Sequence, residues 1–217
     1  MKTLHLFLKS SHTHERLCAF SDGVYAIALT LLVLDLKVPE APGITDSELM
    51  TDLVQQLPNF VAYFVGFCLV ARFWMNHHRI FQSAVLCDEW ALSLNLAHLF
   101  FISLVPYTAS LIGHYEGDRI AAIIFSSNLG LSSLSLTVLG HYVLENKEWR
   151  SKEPGGTWVV IPWWTAYTGS ALAFVSIMVS FLSIHGALLL WLLEPVRDLI
   201  VQNRLSASHG RPSHGAL

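Results

Sequence analysis

Between Arg16 and Leu36 the chain reads Arg-Leu-Cys-Ala-Phe-Ser-Asp-Gly-Val-Tyr-Ala-Ile-Ala-Leu-Thr-Leu-Leu-Val-Leu-Asp-Leu, an apolar helix of membrane length with a charged entrance. A bilayer crossing takes roughly 20 such residues. Placing Arg16 and Asp22 at its mouth is costly, and ionisable groups there pair, face a bundle interior or line a water path. Past Asp22 the polar groups before Asp35 are the Thr30 hydroxyl and the Tyr25 phenol. The helix thus carries a polar anchor at one end and an apolar stripe along its middle. Ile27, Leu31 and Leu34 stand at i, i+4, i+7 and share one face, with Thr30 beside them. One such helix encloses nothing, whereas four copies around an axis would stack rings of branched side chains that gate by excluding water. Aliphatic stripes at this spacing are usually helix-packing faces in an ordinary membrane bundle.

The rest of the chain continues in this manner. Hydrophobic residues make up 53% of the 217 and charged ones 13%, against about 25% charged in soluble domains. Mean hydropathy is +0.49. A formal charge of -3 gives no reason to expect nucleic acid as a partner. Cys18, Cys68 and Cys87 have no C-x-x-C spacing and read as small core residues. Residues 1–15 carry only the short patch Leu4–Leu8, broken by His5, which makes no convincing signal peptide.

Apolar runs bounded by charge, Pro or Gly give six expected spans. The first covers about Leu17 to Leu36 and is stopped by Lys37-Val38-Pro39. Met50–Gln56 reads as a short amphipathic helix leading into the second, about Asn59 to Asn76. The third runs from about Trp90 to Gly113, interrupted by Pro106, and the fourth from about Ile120 to Leu144. A polar loop follows over Glu145–Gly156. Trp158 to Leu193 is too long for one crossing, and Ser183-Ile-His-Gly186 is the natural break. The fifth span is then about Pro162 to Leu182 and the sixth about Gly186 to Val201. The sixth is short of clean apolar residues because of Glu194, Pro195, Arg197 and Asp198, so five spans with a re-entrant last segment is the alternative. Glu194 and Asp198 read as a solvated helix end.

Basic residues test this map. One side holds Lys2, Lys9, Arg16, Arg72, Arg79, Lys147, Arg150, Lys152, Arg197, Arg204 and Arg211, and the other only Lys37 and Arg119. That asymmetry places both termini in the cytoplasm and favours an even number of spans. Trp90, Trp158, Trp163 and Trp164 fit an interfacial aromatic belt. Three regions result: an N-terminal cytoplasmic tail over 1–15, a transmembrane domain over 16–202, and a C-terminal cytoplasmic tail over 203–217 that reads as disordered.

Eleven histidines invite metal or acid–base chemistry. In Trp74-Met-Asn-His77-His78-Arg79 the adjacent imidazoles point about 100° apart on a helix and do not share one ion, and the His-Glu-x-x-His spacing is absent. Asn95 and His98 lie within the third span, where polar groups must find partners. The economical reading is a structural polar network of Arg16, Ser21 and Asp22 with Trp74, one of His77 and His78, Asn95 and His98. A proton relay through the same groups is the competing reading. No Gly-x-Ser-x-Gly, P-loop or paired-carboxylate motif points to an enzyme, and no cofactor or metal is expected. A Thr-Val-Gly-Tyr-Gly potassium filter is missing too; the nearest string, Phe64-Val65-Gly66-Phe67-Cys68, lacks the leading Thr and the closing Gly and lies within a span.

Arg16-x-x-x-Phe20-Ser21-Asp22 followed by Gly-Val-Tyr-Ala-Ile-Ala-x-Thr-Leu-Leu-Val-Leu resembles the signature of the lysosomal-type potassium channels, in their single-repeat prokaryotic branch. The resemblance runs from about Arg16 to the end of the last span; Tyr25 stands where Phe is more usual. It implies that the Phe20-Ser21-Asp22 motif is tied to polar residues of the second and third helices. It also implies that Ile27, Leu31 and Leu34 form the pore constriction and that Thr30 bears on potassium preference. Two-repeat members assemble as dimers, so a single six-span repeat implies a homotetramer. The expectation is an all-α membrane protein in the cell membrane, its first helices lining a central pore that passes K⁺ passively with weak discrimination among monovalent cations. A small secondary transporter or proton-coupled carrier, using Asp22 and the membrane histidines, is the alternative; such carriers usually show internal repeats, and the halves of this chain show no convincing one.

Overall fold

The computed structural model describes residues 11–39, 43–84, 86–149, 167–194 and 196–197. The tails over 1–10 and 203–217, the loop over 150–156 and Trp158, Trp163 and Trp164 lie outside the described residues. The fold is all-helical. Helix α1 spans Ser11–Val33, α2 Asp46–Gln55, α3 Leu57–Gln82, α4 Glu89–Ser103, α5 Val105–His114, α6 Arg119–Glu145, α7 Thr168–Ser180 and α8 Ile184–Trp191, with a 3₁₀ turn at Lys147–Trp149.

Local chemistry sets these boundaries. Thr45 and Glu48 form a reciprocal capping box that starts α2. The Thr45 N–H and hydroxyl, donated to the Glu48 carboxyl, hold that group below its ordinary pKa. Pro58 sits in the first turn of α3, where its missing N–H leaves no orphan. Asp88 caps α4 by accepting from the Ala91 N–H at 2.8 Å, and Asp118 caps α6 by accepting from Ile120 and Ala121. Pro106 lies in the first turn of α5, so the apolar segment Glu89–His114 breaks at Leu104 but continues in the same direction. Ser183 caps α8 by accepting from the Gly186 N–H, and the chain reverses between α7 and α8 just before it.

Among the described residues four segments are long and apolar enough to cross a membrane: Thr13–Val33, Leu57–Gln82, Glu89–His114 and Arg119–Glu145. The expected fifth and sixth spans are described only in part, as α7 and α8. Helix α6 is the hub, packed against α4, α5, α3, α7 and α8. The α6–α7 contact is close: a Cβ at Gly169 would stand 2.2 Å from Ser133 Oγ. Small residues that let backbones approach are a common device of membrane helix packing. Half of the α6 crossing is buried, against 28% of the α1 crossing. Helix α1 lies at the bundle edge, against α3, α4 and α5.

Candidate functional site

Leu17, Ser21, Tyr25, Ala28 and Leu32 are the buried residues of α1, and their spacing of three and four makes a single stripe. At 100° per residue, Arg16, Phe20, Ile27, Leu31 and Leu34 fall on another side of the helix. Ile27 is 60% exposed, Leu31 44% and Leu34 71%, and Phe20 is exposed as well. Thr30 is exposed and donates its hydroxyl hydrogen to the Ile27 carbonyl at 2.9 Å.

The buried stripe carries polar groups into the bundle, and each is matched. Ser21 donates to the Leu17 carbonyl at 2.9 Å and accepts from Asn95 Nδ2 at 3.0 Å. Asn95 Oδ1 accepts from His77 Nε2 at 2.7 Å. The Tyr25 hydroxyl lies 2.6 Å from His98 Nε2. His98 Nδ1 faces the Ser132 carbonyl at 3.1 Å. A carbonyl only accepts, so Nδ1 carries the proton and Nε2 accepts from Tyr25. The His77 and His98 rings lie 6.1 Å apart and nearly parallel, and Tyr25 packs against both. The chain Ser21–Asn95–His77 and the chain Tyr25–His98–Ser132 therefore rivet α1 to α3, α4 and α6.

Asp22 stands outside this buried cluster. It is exposed and accepts from Trp74 Nε1 at 2.8 Å. The Trp74 ring stacks on His78 at 5.4 Å, and His78 contacts Gln82 at 2.7 Å. Of the adjacent histidines, His77 faces the bundle and His78 the surface, as their angular separation on the helix requires. Arg16 is exposed, and among the described residues it has no hydrogen-bond or ion-pair partner. Its six-residue offset from Asp22 points the two side chains about 120° apart, so among the described residues Arg16 stays outside the network.

Sequence reasoning missed three further arrangements. The Tyr25–His98 bond joins residues distant in sequence, and the Tyr hydroxyl was its one local signal. At the far end of α1, Ser110 donates to Asp35 at 2.8 Å while His114 stands 3.6 Å from the same carboxylate. The third is a correction. Glu194 is not a solvated helix end but is buried, paired with Arg72 and with Arg197 at 2.9 Å. Arg197 also donates to Thr168. Arg72 and Arg197 thus stand inside the bundle and drop out of the loop-charge tally, which remains lopsided without them. Among the described residues no three His, Cys, Asp or Glu side chains converge as a metal site would require.

The family described as endosomal/lysosomal potassium channel TMEM175 matches residues 16–106. A Chryseobacterium protein named a potassium channel is 36% identical over 142 residues, 64% of this chain and 70% of that protein. A Streptomyces collinus protein, also named a potassium channel, is 36% identical over 128 residues, 57% of this chain and 61% of its own length. The solved structure of a lysosomal potassium-selective channel TMEM175 homologue from Chamaesiphon minutus superposes with a TM-score of 0.74 at 26% identity, covering 88% of this chain and 99% of that one. Sequence motif, helical architecture and these similarities agree: the chain belongs to the TMEM175 family.

Proposed function

We propose that the protein is a passive potassium channel in which four copies place their α1 helices around a central pathway. The observation that carries this reading is the two-sidedness of α1. One stripe is consumed by the bundle, while Ile27, Leu31 and Leu34 are left exposed on a span only 28% buried. A ring of such side chains from four subunits would be narrow and dry, and would gate by excluding water. The names of the bacterial relatives supply the ion, K⁺.

Selectivity on this reading is weak, because branched aliphatic rings offer no carbonyl ladder to replace a hydration shell. Thr30, one residue from Leu31 and exposed, supplies a hydroxyl oxygen beside the constriction and biases the pathway toward K⁺. The polar rivets at Ser21, Asn95, His77, Tyr25 and His98 hold α1 at a fixed angle, with Asp22 and Trp74 fixing its entrance. The apolar sequence around α7 and α8 completes two further crossings, giving six per subunit with both termini cytoplasmic in the cell membrane. Arg16, which has no hydrogen-bond or ion-pair partner among the described residues, meets a neighbouring copy.

Purified protein in liposomes, assayed for K⁺ flux against a Na⁺ gradient, tests the reading. A channel gives gradient-driven flux that does not saturate over a wide concentration range. Saturating, exchange-coupled flux would instead establish a carrier.

A further inference from the structure

Asp35 lies just past the end of α1, and Ser110 and His114 stand one turn apart on the same face of α5. The Ser110 hydroxyl donates to one carboxylate oxygen of Asp35 at 2.8 Å, and His114 Nδ1 stands 3.6 Å from the other. Nδ1 also faces the Ser110 carbonyl at 3.1 Å. A carbonyl and a carboxylate only accept, so Nδ1 holds a hydrogen here whether the ring is neutral or charged. The titrating position is then Nε2, which has no hydrogen bond among the described residues and belongs to a side chain 43% exposed. Protonation there sets a positive charge beside Asp35 without disturbing the bonds that aim the ring. His114 also lies in the last turn of α5, where the helix dipole favours a cation. The contact falls where α1 is otherwise weakly held. Leu32 is the last buried residue of that segment, and the turn after it is closed by the Leu34 N–H to Leu31 and the Leu36 N–H to Val33. Beyond Tyr25, Asp35 makes the segment's next side-chain hydrogen bond to another helix among the described residues.

We propose that Asp35 and His114 are a proton-operated clasp on the far end of α1, closed when His114 is charged and released when it is neutral. Histidine is the side chain that ordinarily changes charge between about pH 5 and 8. An ion pair this exposed biases an equilibrium severalfold and does not lock it, which suits a reversible device. Helix α5 packs against α1, α3, α4 and α6. The end of α1 brings Asp35 and then Lys37, which is exposed. The first half of α3 brings one ionisable group, Tyr63, and α4 has none after His98. The turn into α6 carries Tyr115, Glu116, Asp118 and Arg119. Of these, Asp118 caps α6, the Arg119 guanidinium lies over the Phe181 ring at 5.1 Å, and Glu116 has an interaction of its own. Asp35 is therefore the carboxylate that meets the imidazole. The clasp stands on these contacts alone, whereas its consequence for ion flow rests on the channel reading. Closed, it draws the end of α1 toward α5 and away from the exposed Leu34 face, keeping a Leu34 ring wide. Released, it lets that ring narrow.

Hydrogen–deuterium exchange of the full-length protein over residues 31–38 tests the clasp. Wild type is compared with His114→Gln at about pH 5.5 and again at about pH 8.5, on either side of histidine's ordinary range. Comparing the two proteins at one pH cancels the intrinsic pH dependence of amide exchange. In acid the Leu34 and Leu36 amides of wild type should exchange severalfold more slowly than those of His114→Gln; in alkali the two proteins should match. Asp35→Asn keeps an oxygen for the Ser110 hydroxyl but loses the charge, and should behave as His114→Gln does. Both variants are checked first for the wild-type elution volume, and His114→Asn replaces the glutamine variant if that one misfolds. Potassium flux from liposomes held at equal pH on both sides should rise severalfold from alkali to acid in wild type and stay level in either variant. Equal exchange of wild type and variants in acid, or a difference that persists in alkali, would overturn the clasp. The expected exchange in a protein that carries no flux would sink the channel reading and leave the clasp standing. Flux indifferent to pH would detach the clasp from the pathway.

Discussion

Arg72, near the middle of α3, is ion-paired with Glu194 beyond α8, and their side chains are only 6% and 4% exposed. Arg197 closes on the same carboxylate from the other side and reaches Thr168 at the start of α7. One carboxylate therefore ties the second span to both C-terminal helices. Charges at this depth are expensive, and removing one partner of a buried pair leaves the other uncompensated, at a cost of about 3–5 kcal/mol. Glu194→Gln should therefore lower the unfolding temperature sharply, with loss of the α7–α8 hairpin before the rest. Arg72→Met combined with Glu194→Leu should recover part of that loss, because apolar groups replace the Arg72–Glu194 pair while Arg197, 26% exposed, keeps its bond to Thr168. Thermal unfolding followed by size-exclusion chromatography reads both; a single variant as stable as wild type would mean the pair is solvated.

The polar groups of α1 predict an order of severity. Asn95→Ala strips the His77 N–H and the Ser21 hydroxyl of their partner in a fully buried setting, where an unmet polar group costs about 1–3 kcal/mol. Asp22→Ala removes one bond to Trp74 at an exposed position and should cost less. Arg16→Ala removes no described contact and should leave subunit stability within about 0.5 kcal/mol. Melting temperatures should therefore fall in the order Arg16→Ala, Asp22→Ala, Asn95→Ala, from highest to lowest. Cross-linking of the Arg16→Ala protein reports separately on assembly, and a loss of oligomer there would locate the arginine's partner in another copy.

Much of this arrangement was legible because it is periodic or local. The four described spans, the Pro106 break and the reversal near Ser183 follow from hydropathy and proline chemistry, and helical angle parts His77 from His78 without saying which of the two enters the bundle. The motif at Phe20-Ser21-Asp22 pointed to α3 and α4 as the elements that receive α1. What stayed hidden is pairing between distant residues. Glu194 sits beside Pro195, Arg197 and Asp198, a composition that reads as a helix edge, and nothing in that neighbourhood signals Arg72. Tyr25 drew notice as a departure from Phe, while the partner of its hydroxyl, His98, lies on α4. The angular separation of Arg16 and Asp22 could have been worked out from their spacing, and it argues against placing both in one intrasubunit cluster.

Topology can be tested at the α2 turn. Ser47 is exposed and, unlike Thr45, takes no side-chain part in the capping box, so Ser47→Cys adds a thiol without unmaking the helix start. The native background from the loop before α4 should be small. Cys87 is 1% exposed, and burial, aided by Asp88, pushes its thiol up from the ordinary value, which keeps it protonated and unreactive at neutral pH. An impermeant maleimide applied outside intact cells should label Ser47→Cys and leave wild type unlabelled. Labelling only after the cytoplasmic face is opened would invert the orientation.

The constriction makes the sharpest demand. If Ile27, Leu31 and Leu34 face a central pathway, Ile27→Asn places four amides where four branched apolar groups stood. Polar side chains hydrate a ring that aliphatic ones keep dry, so the barrier to ion entry falls. Flux should rise severalfold and K⁺ over Na⁺ discrimination should shrink. Stability should barely change, because Ile27 is 60% exposed in the subunit and makes few contacts to lose. Thr30→Ala should act differently. It leaves the apolar ring in place and removes an oxygen beside it, sparing total flux while lowering the K⁺ preference. If this face of α1 instead packs against lipid or another helix, Asn there would desolvate an unpaired amide and destabilise the protein, and ion preference would stay as it was. Flux, selectivity and unfolding temperature measured on one Ile27→Asn preparation therefore separate the two arrangements: a less stable protein of unchanged selectivity removes the pore from α1.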